Sequence, residues 1–259
     1  MIPKVIHYCW FGRGQMPELA LMCIESWKKF LPDYEIKEWN EDNFDLDMYP
    51  YVREAYDNRK FAFVTDVVRL FALYTEGGIY MDTDVEVLKS LDPFLHHHAF
   101  SGFEDEHNIP TGIMASEKGG KWAKDNLDYY NGRHFVMEDG TLDLTTNVVT
   151  ITNYMLPLGL KQNNTFQDFP KLITFYPKDY FCPKDAATGY VILSDNSVTI
   201  HHFNASWFSP KERYLLHIKQ RYHIDNNSSL FVFWRFIAML KYDNILQRIS
   251  KYFCGIKKN

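Results

Sequence analysis

The sequence predicts an α/β protein built on a central, largely parallel β-sheet. Apolar strand-like segments alternate with helical segments in the first third of the chain. In order, these are a strand at residues 5–11, a helix at 17–31, a strand at 34–39, helical segments over 51–74 and a strand at 79–88. Gly77 and Gly78 end the last helical segment, as glycine often does at a helix C-terminus. Such alternation is typical of parallel sheets, which bind ligands beyond the carboxyl ends of their strands.

The individual elements follow from the spacing of their apolar residues. The first helix has one apolar stripe, formed by Leu19, Met22, Cys23, Trp27 and Phe30. Farther along, the pattern predicts strands at residues 99–103, 112–115, 190–193 and 198–202, and helices at 121–130, 148–155 and 229–253. We therefore expect one α/β domain over residues 1–222 and an amphipathic helical extension over residues 223–259.

The composition is that of a soluble globular protein and limits the classes of function. Of 259 residues, 46% are hydrophobic and 24% are charged, and the formal net charge is −5. This charge argues against broad nucleic-acid binding, which requires a basic surface. The cysteines show no CxxC spacing, so neither a disulfide scaffold nor a zinc knuckle is expected. The N-terminus lacks a signal-peptide pattern and no apolar run reaches the roughly 20 residues that span a bilayer, so we expect a cytoplasmic protein.

The strongest local motif is Gly77–Asp84, GGIYMDTD, in which two aspartates follow a short apolar strand. Because side chains alternate across a strand, Asp82 and Asp84 are expected to project to the same side. Two carboxylates at the end of a buried strand are suited to a divalent cation. A nucleotide diphosphate would be repelled by the carboxylates alone, whereas a metal between them would bind it and stabilise it as a leaving group. The alternative is a structural turn.

A charged pair lies in the helical segment before this motif. Asp66 and Arg69 are three residues apart and therefore share a helix face, among apolar neighbours. They form either an intrahelical ion pair at the surface of the core or a functional pair that hydrogen-bonds sugar hydroxyls and phosphate. The sequence leaves both interpretations open.

Two further positions carry residues suited to metal or base binding. His201 and His202 follow an apolar segment, and an imidazole can complete a metal site begun by carboxylates. The two histidines face opposite sides of a strand, so only one is expected to be a ligand. Trp10 ends the first strand, where an aromatic ring either stacks on a nucleobase or packs in the core. A second DxD motif at residues 45–47 has no apolar strand before it, and we interpret it as solvated surface.

Together these clusters resemble the DxD-containing glycosyltransferases of family 32, which include yeast-type initiating mannosyltransferases and many bacterial capsule and lipopolysaccharide enzymes. The stretches that carry the resemblance are residues 2–7, 10–12, 62–69, 77–84 and 201–207, with Trp27, Pro32 and Trp39 between them. The resemblance implies a GT-A-type nucleotide-sugar-binding fold, with a Rossmann-like mixed sheet flanked by helices. It also implies an Mn²⁺ or Mg²⁺ ion and retention of the anomeric configuration.

The resemblance further implies roles for individual residues. Asp84 would bind the metal directly, Asp82 would contact the ribose or the metal, and His202 would be a further metal ligand. Asp66 and Arg69 would hold the donor sugar, and with Asp82 they form the predicted catalytic set.

The resemblance also implies a set of substrate-binding residues, with Trp10 on the base and Ser206 and Trp207 at the diphosphate. The full set is Trp10, His7, Gly78, Asn204, Ser206 and Trp207. Two features depart from the family pattern: Thr65 replaces the usual serine, and the usual Gly-Pro is not evident around Thr146 and Asn147. No carboxylate stands out as a nucleophile, and a front-face mechanism would not require one. Glu104 and Asp105 are candidates to stabilise an oxocarbenium-like transition state.

The function implied is a metal-dependent glycosyltransferase. It would move a hexose-type sugar from a nucleotide-sugar donor, with UDP favoured over GDP, to a saccharide or lipid-linked saccharide acceptor in surface polysaccharide biosynthesis. The aromatic and basic C-terminal helix either packs on the catalytic domain or rests on the inner face of a membrane. Two other classes remain open, namely a non-catalytic saccharide-binding protein of the same fold and another metal-dependent nucleotide-processing enzyme. The second should carry more acidic ligands or a Gly-rich, Lys-bearing phosphate loop.

Overall fold

A computed structural model describes residues 1–109, 112–204, 209–224 and 228–243, and these ranges contain nine β-strands and eight α-helices. The strands are β1 (Val5–Cys9), β2 (Glu35–Trp39), β3 (Gly78–Met81), β4 (Val85–Val87), β5 (Ala99–Gly102), β6 (Ile113–Ser116), β7 (Gln167–Phe169), β8 (Ile173–Tyr176) and β9 (Thr199–His201). The helices are α1 (Glu18–Phe30), α2 (Pro50–Asp57), α3 (Phe61–Thr75), α4 (Lys121–Asp128), α5 (Asn147–Met155), α6 (Lys178–Phe181), α7 (Pro210–Tyr222) and α8 (Ser229–Tyr242).

Seven of the strands form one mixed sheet in the order β2-β1-β3-β6-β5-β8-β7. β1 pairs in parallel with β2 and β3, and β5 pairs in parallel with β8. β6 runs antiparallel to both of its neighbours, and β7 runs antiparallel to β8. The prediction of an α/β fold with a Rossmann-like mixed sheet flanked by helices is confirmed.

β3 lies near the middle of this sheet and is buried on both faces. Ile79 and Met81 pack in one hydrophobic core, which α1 joins through Trp27. Tyr80 faces the opposite core, which α3 joins through Val67. A strand covered on both faces is apolar along its whole length, which explains the unbroken run GIYM. The residues that follow β3 therefore lie at the carboxyl end of an inner strand of the sheet.

The chain does not continue as a strand through the two aspartates. Residues 82–84 turn, and the Val85 N–H donates to the Asp82 carbonyl at 3.0 Å. β4 then leaves the main sheet and pairs antiparallel with β9 in a separate two-stranded sheet. The predicted continuous strand over residues 79–88 is thus corrected to two strands joined by a tight turn.

The predicted strand at residues 190–193 is also corrected. Within the described ranges, this segment contributes only an isolated bridge between Val191 and Lys184. All four of its side chains are exposed, so its apolar run had no core face to pack on. β9 pairs with β4, which lies more than 100 residues earlier in the sequence. The short strands β7 and β8 were not predicted, because neither shows a clear alternation of apolar and polar residues.

The chain divides into two compact units. The first comprises residues 1–183 and 192–202 and contains both sheets. The second comprises residues 184–191 and 203–259 and contains α7 and α8, which pack against each other. The predicted boundary after Tyr222 falls inside this second unit. The predicted final helix begins at Ser229 as expected, and α8 ends at Tyr242 with Asp243 as its C-cap. Residues 244–253 of the prediction lie outside the described residues.

Candidate active site

Two backbone hydrogen bonds hold the turn of Asp82 and Asp84 in place. The Asp82 N–H donates to the Gly112 carbonyl at 2.8 Å, and the His202 N–H donates to the Asp84 carbonyl at 2.9 Å. These bonds tie the turn to segments that adjoin β6 and β9. The aspartate side chains are 26% and 15% exposed, so they are partly desolvated but reachable.

His201 completes a cluster with the two aspartates. Its Nε2 lies 3.3 Å from Asp84 Oδ1 and 4.0 Å from Asp82 Oδ2, and the three candidate ligand atoms lie within 4.8 Å of one another. Around a cation with bonds of about 2.1 Å, adjacent ligands are about 3.0 Å apart and opposite ligands about 4.2 Å. The observed separations therefore fit one divalent cation after a small closure. Carboxylates and imidazoles are common protein ligands of divalent cations.

The third member of this cluster is His201, which corrects the prediction of His202. The pairing of Val85 with His201 in the β4–β9 ladder brings His201 beside the aspartate turn. Because side chains alternate along β9, His202 turns to the other face, where its Nε2 lies 2.9 Å from Glu86 Oε2. The sequence correctly indicated that only one histidine faces the site. The register of the ladder decides which one.

Arg69 joins the buried pair on α3 to the aspartate turn. Its Nη2 lies 3.4 Å from Asp66 Oδ1 and 3.4 Å from Asp82 Oδ1. The guanidinium also lies over the Tyr80 ring, and the Tyr80 hydroxyl donates to Asp82 Oδ1 at 2.6 Å. One oxygen of Asp82 is therefore held by Arg69 and Tyr80, while the other faces His201. This division orients Asp82 toward the candidate metal position.

Asp66 lies behind Arg69, almost completely buried. Its side chain is 9% exposed, and its Oδ2 accepts a hydrogen bond from the Asn147 N–H at 3.2 Å. The predicted ion pair with Arg69 is present. Its predicted contact with a donor sugar stays a prediction, since both carboxylate oxygens already have protein partners.

Burial and neighbouring charges act in opposite directions on these groups. Burial lowers the pKa of His201, but Asp84 and Cys182 raise it, and the net pKa lies well above its ordinary value. Burial raises the pKa of Asp66 to about 6, although Arg69 and the Asn147 N–H pull it down. The cluster thus gathers carboxylates in a poorly solvated place, where a cation favours their ionised forms.

His7 and Gly78 were predicted to bind substrate, and the structure corrects both. His7 is fully buried, its Nδ1 accepts from Trp39 Nε1 at 3.1 Å, and its Nε2 lies 2.7 Å from the Gly77 carbonyl. Gly78 has a φ of +110°, and a Cβ there would lie 2.6 Å from the Val5 carbonyl oxygen. Both residues pack β3 against β1 and do not face the site.

Gly112 is a site residue that no motif in the sequence indicates. A Cβ at this position would lie 2.8 Å from Nδ1 of His201, and the Gly112 carbonyl accepts the Asp82 N–H. Gly112 therefore lets the His201 ring lie flat against the backbone next to the aspartate turn. A lone glycine in a loop has no sequence signature for such a close approach.

The remaining predicted residues are placed as follows. Trp10 is partly buried beyond β1, and its Nε1 donates to the Gly14 carbonyl at 2.7 Å, so its stacking on a base stays a prediction. Asn204 is exposed and belongs to the second unit. Ser206 and Trp207 lie outside the described residues. The other DxD motif lies on the surface, as predicted, where Asp47 pairs with Arg53 at 2.6 Å.

At the end of a central strand, the mixed sheet presents two aspartates, and a histidine and an Asp–Arg pair adjoin them. This is the arrangement that the resemblance to DxD-containing glycosyltransferases implies. Residues 17–101 match the family described as the glycosyltransferase sugar-binding region containing the DXD motif. The matched region includes Asp66, Arg69, Asp82 and Asp84. The predicted resemblance is confirmed.

Particular relatives match over part or most of the chain. Inositol phosphoceramide mannosyltransferase 3 of Schizosaccharomyces pombe is 35% identical over 122 residues, 46% of this chain and 34% of that protein. The chain spans about a third of the length of the curated yeast mannosyltransferases that it matches. An uncharacterised glycosyltransferase of Acanthamoeba polyphaga mimivirus is 25% identical over 236 residues, 84% of this chain and 92% of that protein. Among solved structures, a glycosyltransferase involved in glycosylation of the major capsid of PBCV-1 aligns over 82% of this chain and 97% of its own, with 13% identity and a TM-score of 0.46.

The corrected metal cluster makes a direct prediction. His201→Ala is expected to weaken the binding of Mn²⁺ by roughly 100-fold or more, because even outer-shell partners of a metal commonly account for 10- to 100-fold. His202→Ala, which removes the same side chain from the opposite face, should change it little. Calorimetric titration of each variant with MnCl₂ measures both affinities. A larger loss in His202→Ala would restore the assignment made from sequence.

Proposed function

We propose that this protein is a metal-dependent glycosyltransferase that transfers a hexose-type sugar from a nucleotide-sugar donor, a UDP-sugar first, to a saccharide or lipid-linked saccharide acceptor. The observation that carries the proposal is the cluster of Asp82, Asp84 and His201 at the end of β3, two of whose members, Asp82 and Asp84, lie within the matched family region. We propose transfer with retention and a place in surface polysaccharide synthesis on the family resemblance.

The proposed cofactor is Mn²⁺, held by Asp82, Asp84 and His201. When bound, such an ion neutralises the donor diphosphate and stabilises it as a leaving group. The donor set supports this choice, since three side chains leave room for phosphate oxygens and water in the remaining positions.

The protein's own residues prepare the site for this ion. Arg69 and Tyr80 hold one oxygen of Asp82, so the other oxygen keeps a fixed direction toward His201. Asp66 fixes Arg69 in turn, and the first N–H of α5 fixes Asp66. We therefore assign Asp66 and Arg69 as positioning residues for Asp82. A side chain locked by its neighbours loses less conformational freedom when the donor binds.

The acceptor is proposed from the names of the relatives. The fission-yeast relatives are named as mannosyltransferases of inositol phosphoceramide, a lipid that carries a hydroxylated headgroup. Each match covers less than half of this chain. The names support an acceptor with a lipid portion. They are also a reason to test a mannosyl donor together with UDP-hexoses.

Glu104 is the proposed acidic residue that acts on the reacting sugar. It follows β5, and it is near enough to His201 and Asp82 for their charges to affect it. Asp105 accepts three hydrogen bonds from His107 and Asn108 and so serves to build the loop, while Glu106 is exposed. Among the described residues, no hydrogen bond or ion pair is found for the Glu104 carboxylate. A partly buried carboxylate close enough to feel the charges of the metal cluster is suited to stabilise positive charge that develops on the sugar.

The assignment of Glu104 predicts a selective loss of turnover. Glu104→Gln is expected to lower kcat by roughly 100- to 1000-fold, the usual effect of deleting one preorganised charged or polar contact to a transition state. Mn²⁺ and donor affinities should stay within about threefold, because Glu104 is not part of the metal cluster. Glu106→Gln, in the same loop, is the matched control and should keep wild-type turnover. An unchanged kcat in Glu104→Gln, or an equal loss of Mn²⁺ binding, would remove Glu104 from this role.

The proposed function is tested by titrating the full chain with UDP-glucose, UDP-galactose and GDP-mannose, each with and without MnCl₂. We expect one of these donors to bind, and to bind only with the metal. If no nucleotide sugar binds under either condition, the non-catalytic saccharide-binding alternative gains support. If a nucleotide binds and is cleaved without regard to its sugar, the protein belongs to the nucleotide-processing class instead.

A further inference from the structure

Helix α8 presents bulky apolar side chains to solvent. Val232, Phe233 and Phe236 are 58%, 53% and 53% exposed, and their spacing places them on one side of the helix. The opposite side is buried at Phe231 and Ala238, seven residues apart. A single exposed apolar residue is ordinary, but adjoining large ones on one helix face are typical of an interaction surface.

The packing between α7 and α8 leaves this exposed side available. Trp234 stacks on Tyr222 at 5.9 Å between ring centroids, and Lys211 pairs with Asp243. Trp234 lies on a different side of α8 from Phe233 and Phe236, and Asp243 follows Tyr242, the last residue of the helix. The exposed face is therefore a surface of the second unit as it stands.

The second unit differs in charge from the rest of the chain. Residues 203–259 contain ten Lys and Arg against three Asp and Glu, a net charge of +7, and residues 184–191 contain one of each sign. Because the whole chain has a net charge of −5, the first unit has a net charge of −12. Exposed cations lie on both helices, at Arg213 and Arg221 on α7 and at Arg235 and Lys241 on α8.

We propose that this unit docks on an anionic lipid surface, with Val232, Phe233 and Phe236 inserted among the lipid headgroups. Aromatic side chains on one face of a helix and cations around them are the features of a helix that lies in a membrane interface. No described helix is long and apolar enough to cross a bilayer, so the contact is a peripheral one. Binding of this kind does not depend on the proposed catalysis, but it would bring the active site to a lipid-linked acceptor.

The basic surface of α7 and α8 attracts an anionic lipid surface, whereas it repels the same helices of a second copy of this chain. Each Lys or Arg near an anionic surface adds to an attraction that falls off within a Debye length. Lipid binding should therefore weaken as salt is added, and it should require anionic lipid. Apolar insertion alone would show neither dependence.

The test is co-sedimentation of the full chain with phosphatidylcholine vesicles, with and without phosphatidylserine. We expect binding to the phosphatidylserine vesicles, and a fall in affinity of roughly tenfold or more in the double variant Phe233→Ser with Phe236→Ser. Phe166→Ser is the matched control, since Phe166 is 55% exposed in the first unit, and it should bind as the unaltered protein does. Circular dichroism and Mn²⁺ titration confirm that each variant is folded.

Three results would overturn the proposal. They are no binding to either vesicle, equal binding by the Phe233 and Phe236 variant, and a change in that variant's oligomeric state without any change in vesicle binding. The last would show that the face joins copies of the chain. Donor titration in the absence of vesicles reports on the proposed function separately, so the two proposals fail independently.

Discussion

Replacing Asp84 with asparagine is expected to abolish metal-dependent binding of a nucleotide sugar. Asp84 lies 3.3 Å from His201 and keeps only 15% of its side chain exposed, so its charge acts through a partly desolvated site. Removing one unit charge about 4 Å from another costs about 4 kcal/mol at an effective dielectric constant of 20, roughly a thousandfold in affinity, and a divalent ion in direct contact loses more. Titration with MnCl₂, and then with the donor in MnCl₂, measures the loss.

The chain contains its own control for this experiment. Asp47→Asn makes the same substitution in the other DxD motif, where the side chain is 72% exposed and pairs with Arg53. This variant should bind Mn²⁺ and donor as the unaltered protein does. If Asp84→Asn kept the Mn²⁺ dependence of donor binding, the cation site at the end of β3 would be wrong.

Arg69→Met is expected to destabilise the protein by about 3–5 kcal/mol, the usual cost of leaving a buried charge without its partner. The Arg69 side chain is 6% exposed and pairs with both Asp66 and Asp82, so the substitution leaves two carboxylates without their shared cation. Methionine keeps most of the side-chain volume, which limits the contribution of a cavity. Urea denaturation, monitored with a spectroscopic probe in the first unit, measures the change in the free energy of unfolding.

Two further variants separate charge from packing at Arg69. Arg53→Met removes an exposed arginine paired with Asp47 and should cost less than about 1 kcal/mol. The double variant Asp66→Asn with Arg69→Met should be less destabilised than the sum of its single variants, since it leaves fewer carboxylates unpaired. Strict additivity of the two substitutions would contradict the electrostatic account and point to packing alone.

Much of the first unit could be predicted from local patterns. The helix from Glu18 to Phe30 has apolar residues at helical spacing, and the strand from Gly78 to Met81 is a short continuous apolar segment. Both patterns can be recognised from a few neighbouring residues. The importance of Asp82 and Asp84 followed in the same way, from two carboxylates directly after an apolar strand. The Asp66–Arg69 pair needed only helical spacing. These features depend on residues that are close in sequence.

Other features depend on which distant segments meet. The segment at residues 190–193 is apolar enough for a strand but has no core to cover, whereas β9 pairs with β4. His7 was predicted to bind substrate because it lies in a stretch that resembles the family. In the structure its ring is hydrogen-bonded between Trp39 and Gly77. Gly112 gained its role only because the His201 ring lies against it.

The sequence by itself determined the α/β class, the aspartate motif at a strand end, and the fact that one of two adjacent histidines would face that motif. Only the tertiary structure decided that this histidine is His201 and that Arg69 bridges Asp66 to Asp82. It also decided that the charges of the cluster reach Glu104, whereas Asp105 hydrogen-bonds within the loop after β5. The physical reason is register. Side chains alternate along a strand, so a pairing shifted by one residue would have brought His202 to the metal position. The pairing of β4 with β9 is set by the burial of Val85 and Val87, which lie far from both histidines in the sequence.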